Sequence, residues 1–126
     1  CIGEMEAEGE GGDTFSVLDR PVRDGLKDFS FDELGDLVVA YEPVWAIGTG
    51  KTATREQAQE AHRFIRSLLE TLFEKQFAGA VRILYGGSVK PDNVRALMEM
   101  PDVDGALVGG ASLDPETFSK LAFFKD

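Results

Sequence analysis

Three short apolar runs constrain this chain more than any other feature. Residues 37–41, 81–85 and 105–108 each read as a strand, and helical stretches lie between them. The first run is apolar throughout rather than alternating, which suits a strand buried on both faces in a parallel sheet. Ahead of it, Phe15, Val17, Leu18, Val22 and Leu26 space roughly as a helix, in which Pro21 must sit near a turn or accept a kink. Thr54-Arg55-Glu56-Gln57 reads as a capping box, followed by Ala58, Ala61, Phe64, Ile65, Leu68, Leu69, Leu72 and Phe73 at helical spacing, with Gly79 beyond the end. Residues 91–100 suit a short helix, and Asp114-Pro115 opens a last one, with Asp as N-cap and Pro in the first turn. Strands alternating with helices imply right-handed crossovers and a parallel sheet, the α/β class.

Hydrophobic residues make up 43% of the 126, enough for one core, so residues 1–126 form one domain or part of one. With 23 acids against 13 bases the net charge is -10, which argues against a nucleic-acid partner. Residues 4–13 carry five acids and no base; a solvated loop is the plain reading and an acidic interaction patch the other. One cysteine forms no internal disulfide, and no Cys/His cluster has zinc spacing, so neither a metal nor a cofactor is expected. No apolar run approaches the roughly 18 residues of a membrane span and no signal-peptide pattern opens the chain, which points to the cytoplasm. The chain starts on Cys1 rather than Met, as a fragment or a processed form would. A mature lipoprotein also begins on cysteine, but residues 1–4 look more like the end of a buried strand entering a loop. Cys1 would then be a small buried apolar residue.

Chemistry is expected where the strands end, because parallel α/β folds bind ligands at the carboxyl ends of their strands. The first run ends in Glu42, the second in Gly86-Gly87-Ser88, and the third in Gly109-Gly110. Glu42 leaves a dry interior, and Pro43 after it stiffens the exit. A partly desolvated carboxylate is a better base near neutral pH; the alternative is a structural glutamate paired with a nearby Arg or Lys. The glycine pairs are candidates for binding an anion, since glycine allows close approach and positive φ, and Ser88 adds a hydroxyl donor; an ordinary turn is the alternative. Gly50-Lys51-Thr52 invites a nucleotide-binding reading, but Trp45 stands where a phosphate loop needs its first glycine. The stretch from Trp45 to Gly50 suits a mobile lid instead, or a fixed loop with its Trp packed underneath. His62 lies beside the apolar stripe of the long helix and reads as a solvated or half-buried helix residue.

Tyr41-Glu-Pro-Val-Trp-Ala-Ile-Gly-Thr-Gly-Lys51 resembles the signature of the triosephosphate isomerase family. Residues 1–4, 85–93 and 107–113 resemble that family too, in its order and spacing, and together the motifs cover essentially the whole chain. The resemblance implies the carboxy-terminal half of a (β/α)₈ barrel, running from the end of strand five to the last helix. It makes Glu42 the base that moves a proton between glyceraldehyde 3-phosphate and dihydroxyacetone phosphate, with residues 43–53 as the closing lid. Gly48, Ser88, Gly109 and Gly110 would hold the substrate phosphate. Tyr85 and Ser88 resemble residues that hold the closed lid, and Glu4 one that contacts the lid tryptophan when open. The family's first-strand lysine and carbonyl-polarising histidine have no counterpart here, and His62 lies on the wrong element to replace either. The implied partners are a small phosphorylated triose, the amino-terminal half of the barrel and, once complete, a second subunit in a homodimer. A half-barrel that binds phosphate without catalysis, or that pairs with its own copy, is the alternative.

Overall fold

A computed structural model describes residues 1–6, 14–47 and 49–125. Its elements are α1 (Thr14–Leu26), β1 (Val38–Tyr41), α2 (Arg55–Leu72), α3 (Lys75–Ala80), β2 (Arg82–Tyr85), α4 (Val94–Met98), β3 (Gly105–Ala106) and α5 (Pro115–Ala122), with 3₁₀ turns at Val44–Ala46 and Gly110–Leu113. The strands form one parallel sheet in the order β1-β2-β3. Tyr41 sits opposite Tyr85 and Tyr85 opposite Ala106, so the three carboxyl ends leave the sheet on one edge. Ile2 extends the sheet beyond β1: its N–H donates to the Ala40 carbonyl (2.8 Å) and its carbonyl accepts from Glu42 N–H (2.7 Å). Residues 1–4 therefore do end in a strand-like pairing. Cys1 lies outside that pairing and is exposed rather than buried, contrary to the sequence expectation.

The capping box forms: Thr54 Oγ1 accepts from Gln57 N–H (3.1 Å), and Gln57 Oε1 accepts from Thr54 N–H (2.9 Å). Ala58, Ala61, Ile65, Leu68 and Leu69 then bury one stripe of α2 against α1, α3 and the sheet. Asp114 caps α5 as expected, accepting from Thr117 N–H at 2.8 Å. Pro21 lies inside α1 and gives up the helical bond to the Val17 carbonyl. Gly79 does not follow the long helix directly, because the chain restarts in α3, which contains it. α4 is shorter than residues 91–100: Asn93 accepts from Lys90 N–H (2.8 Å) and donates to the Ser88 carbonyl (3.0 Å), holding a turn before the helix starts. β3 is also shorter than expected. Its pairing still reaches Leu107, whose N–H donates to the Tyr85 carbonyl (2.9 Å), but its outer edge has no neighbour among the described residues.

The two faces of the sheet differ. Val39, Tyr41, Ile83 and Tyr85 join the core beneath the helices. Alternate positions point the other way, and there Val38 is 47% and Leu107 40% exposed. A groove of about 220 Å³ runs beside β3, lined by Val94, Met98, Val108, Phe118, Leu121 and Phe124. One helix-covered face, one bare apolar face and an open edge are what half of an α/β barrel presents, and surfaces of this kind call for a partner.

A polar clamp closes the opposite ends of the strands. Arg66 of α2 meets Asp102 (2.7 Å) and Asp104 (2.6 Å), and donates to the carbonyls of Ala78 (2.8 Å) and Val81 (3.0 Å). Asp104 also accepts from Ile83 N–H (2.8 Å), and Gln59 holds Asp102 through both its side chain and its backbone. His62 belongs to this cluster and is fully buried, not solvated or half-buried as its place beside the stripe suggested. Its Nδ1 lies 3.1 Å from the Asp102 carbonyl, which only accepts, so Nδ1 carries the proton.

Burial pushes the His62 imidazole below its usual value; the Asp102 carbonyl and the Asp104 and Asp102 carboxylates oppose the shift, and Arg66 reinforces it. The folded state therefore favours the neutral ring, while the unfolded chain takes up a proton below about pH 6.5. Its contribution is fully present above that value and is lost as pH falls below it. Urea midpoints measured from about pH 7 downward should show this slope, and His62→Phe should flatten it. An unchanged slope in the variant would assign it to other groups.

Candidate active site

Glu42 sits at the carboxyl end of β1, held by its neighbours on both sides. Pro43 (φ −60°, ψ 110°) is buried and extended, and fixes the chain's exit. A Cβ on Gly3 would fall 1.7 Å from the Glu42 carbonyl oxygen, so the bridge strand approaches more closely than any side chain allows. A Cβ on Gly86 would fall 2.4 Å from Glu42 Cγ and 3.3 Å from its Oε1. Gly86 N–H in turn donates to the Tyr41 carbonyl (2.8 Å), tying the two strand ends together. The carboxylate is half-buried, and among the described residues no Lys or Arg pairs with it. The structural ion pair considered as its alternative role thus has no partner there.

Gly86 acts here through close approach rather than through positive φ. Among the described residues only Gly50 has positive φ (+79°), and Gly109 lies at φ −90°, so the left-handed geometry expected of the glycine pairs is not adopted. Gly109 and Gly110 face open space at the end of β3, where an added Cβ would meet nothing within 4 Å. Ser88 donates to the Ala46 carbonyl (2.9 Å), so its hydroxyl touches the segment after Glu42. Gly86 packs on Glu42, and Ser88 reaches the segment that follows Glu42; Gly109 and Gly110 lie beyond β3 on the same side of the sheet. Gly48 lies outside the described residues, as do residues 7–13 of the acidic run.

Behind this edge, Glu4 is a carboxylate only 2% exposed. Its Oε1 accepts from Tyr41 Oη (2.9 Å) and from Trp45 Nε1 (3.2 Å). Burial, and then the Glu4 charge, push the Tyr41 phenol well above its usual value. Burial likewise raises Tyr85, partly offset by the nearby Ala53 backbone N–H, and its Oη completes no hydrogen bond among the described residues. Thr49 donates to the Trp45 carbonyl (2.6 Å), and Lys51 pairs with Glu6, which fastens the far end of the segment. A cavity of about 500 Å³ lies behind Trp45, lined in part by Glu4, Phe15, Tyr41, Lys51 and Glu60. Glu42, Ser88, Gly109 and Gly110 do not line it, so the candidate site is the open strand edge and not this cavity. Among the described residues no group of three or more His, Cys, Asp or Glu is placed to hold a metal ion, and no helix is long and apolar enough to cross a membrane.

Sequence reasoning missed the clamp, although Gln59, His62 and Arg66 fall at i, i+3 and i+7 along one line of α2. That line of polar residues beside an apolar stripe was the available signal.

A parallel sheet alternating with helices, with a carboxylate and glycines at its carboxyl ends, fits the α/β-barrel class, represented among the described residues by three strands. A sequence model of triosephosphate isomerase matches residues 1–124. The chain is 58% identical over 125 residues to the triosephosphate isomerase of Trichlorobacter lovleyi, covering 99% of this chain and 50% of that one. It is 56% identical over 126 residues to that of Citrifermentans bemidjiense (100% and 50%), and 56% over 121 residues to that of Endomicrobium trichonymphae (96% and 48%). The chain belongs to the triosephosphate isomerase family, and it spans about half the length of the curated relatives it matches.

Proposed function

We propose that this chain supplies the base, lid and phosphate site of a triosephosphate isomerase and works when an amino-terminal half completes the barrel. The observation that carries the reading is Glu42: a carboxylate without an ion-pair partner among the described residues, pressed against Gly86 where the bare face meets the carboxyl edge. In the completed barrel Glu42 removes a proton from the carbon beside the substrate carbonyl and returns it to the neighbouring carbon. The group that polarises that carbonyl comes from the amino-terminal half. Residues 43–53 act as the lid, which excludes water and keeps the enediolate from losing its phosphate. The Trp45–Glu4 bond and the unfilled Tyr85 hydroxyl suit the open position of that lid. Gly48, Ser88, Gly109 and Gly110 receive the phosphate, the last two where open space leaves room for it. We place the enzyme in the cytoplasm, as a homodimer, with no metal or cofactor.

Ser88 tests the phosphate site. In the completed barrel, Ser88→Ala should raise KM about 3- to 10-fold, the net worth of one hydrogen bond, and leave kcat within about twofold. A fall in kcat at unchanged KM would remove Ser88 from the phosphate site.

A further inference from the structure

Isomerisation as proposed makes no use of His62, although it is fully buried on α2 in contact with the residues under the lid. Nδ1–H fixes one side of the ring on the Asp102 carbonyl, itself steadied by Gln59 and Arg66. The neutral ring then turns a bare Nε2 inward, and that atom has no hydrogen-bond partner among the described residues. The ring stands edge-on to Tyr41, centroids 5.8 Å apart at 89°, and tilted against Tyr85 at 6.4 Å and 40°. Tyr41 and Tyr85 are also tilted against each other, centroids 6.4 Å apart at 51°. Tyr41 holds the Glu4 carboxylate that holds Trp45, so the chain from Asp102 through His62 and Tyr41 to Trp45 has one contact per step.

We propose that His62 is a positioning residue for the lid: by fixing the Tyr41 ring it sets the Glu4 carboxylate and hence the resting place of Trp45. The proposal rests on the reading of residues 43–53 as a lid, and makes no claim that His62 touches substrate. Hydrogen bonding fixes the imidazole plane, and edge-on packing passes that orientation to the tyrosine. A phenyl ring of similar shape fills the space but cannot be pinned to the Asp102 carbonyl. Asparagine keeps a donor near the Nδ1 position and loses the ring.

Trp45 is the only tryptophan of the chain, so its emission reports the lid directly once an amino-terminal half free of tryptophan is supplied. His62→Phe and His62→Asn should each raise acrylamide quenching of native Trp45 by about 2-fold or more, because the Glu4 contact loosens. Ile65→Val, which thins the same buried helix face without touching either tyrosine's hydrogen bonds, should lower the unfolding midpoint and leave quenching unchanged. Quenching unaltered in both His62 variants, or raised equally by Ile65→Val, would overturn the proposal and leave His62 a packing residue. The readout needs no turnover. Loss of isomerase activity in the unsubstituted barrel would therefore count against the proposed function, and unchanged quenching against the His62 assignment.

Discussion

Glu42→Gln is expected to lower turnover of the completed barrel by about 10²–10⁴-fold, the usual worth of a positioned base. Glutamine keeps the shape that packs against Gly86, and the backbone bond from residue 42 to the Ile2 carbonyl (2.7 Å) does not depend on the side chain. Folding and phosphate binding should therefore be nearly unchanged, and the loss should fall on kcat. An amide accepts no proton from carbon at neutral pH, so the effect isolates the chemistry from the binding. Steady-state kinetics with inorganic phosphate as a competing ligand separate the two. Turnover surviving the substitution would mean that some other group moves the proton.

Arg66→Met should cost about 1.5–3 kcal/mol of stability, the range for hydrogen bonds to charged groups, because the ion pairs it breaks are partly buried. The clamp is partly sheltered, with Arg66 17%, Asp102 19% and Asp104 33% exposed, so water compensates the stranded carboxylates only in part. Methionine replaces the apolar stem but leaves Asp102 and Asp104 without their cation, and the Ala78 and Val81 carbonyls lose a donor. Urea unfolding of the completed barrel near neutral pH measures the loss. A loss below about 1 kcal/mol would place the clamp among solvated surface pairs.

Local signals carried the architecture into the sequence with few errors. The apolar runs ending at Tyr41 and Tyr85 suited parallel strands, although Val38 is exposed on the bare face rather than buried, and Thr54 and Asp114 announced their helices through capping chemistry that needs no distant partner. The edge carrying Glu42 and Gly86 was legible for the same reason: the register of parallel strands follows from their runs, and it aligns their ends. What stayed hidden depends on contacts between distant residues. His62 is buried because Asp102, 40 residues away, supplies an acceptor for its ring. By composition Glu4 sits in an acidic stretch that reads as solvated; the family resemblance alone pointed to its Trp45 contact, and Tyr41 joins Trp45 in burying its carboxylate. Gly79 does lie beyond the end of α2, but the short helix α3 that forms around it through packing with α2 had no local signal. The glycine pairs were read for close approach by a ligand and for positive φ, but Gly86 is required by the width of Glu42, a constraint no local pattern shows.

The most direct measurement is a coupled isomerase assay on the purified chain, alone and mixed with a separately supplied amino-terminal half. Turnover in the mixture and not in the chain alone is the expected result, abolished when the chain carries Glu42→Gln. A folded mixture that binds phosphate without turning over triose phosphate would contradict the isomerase reading and leave a phosphate-binding half-barrel. Turnover by the chain alone would contradict the dependence on a second half, and would mean that this chain, or two copies of it, supplies its own group to polarise the carbonyl.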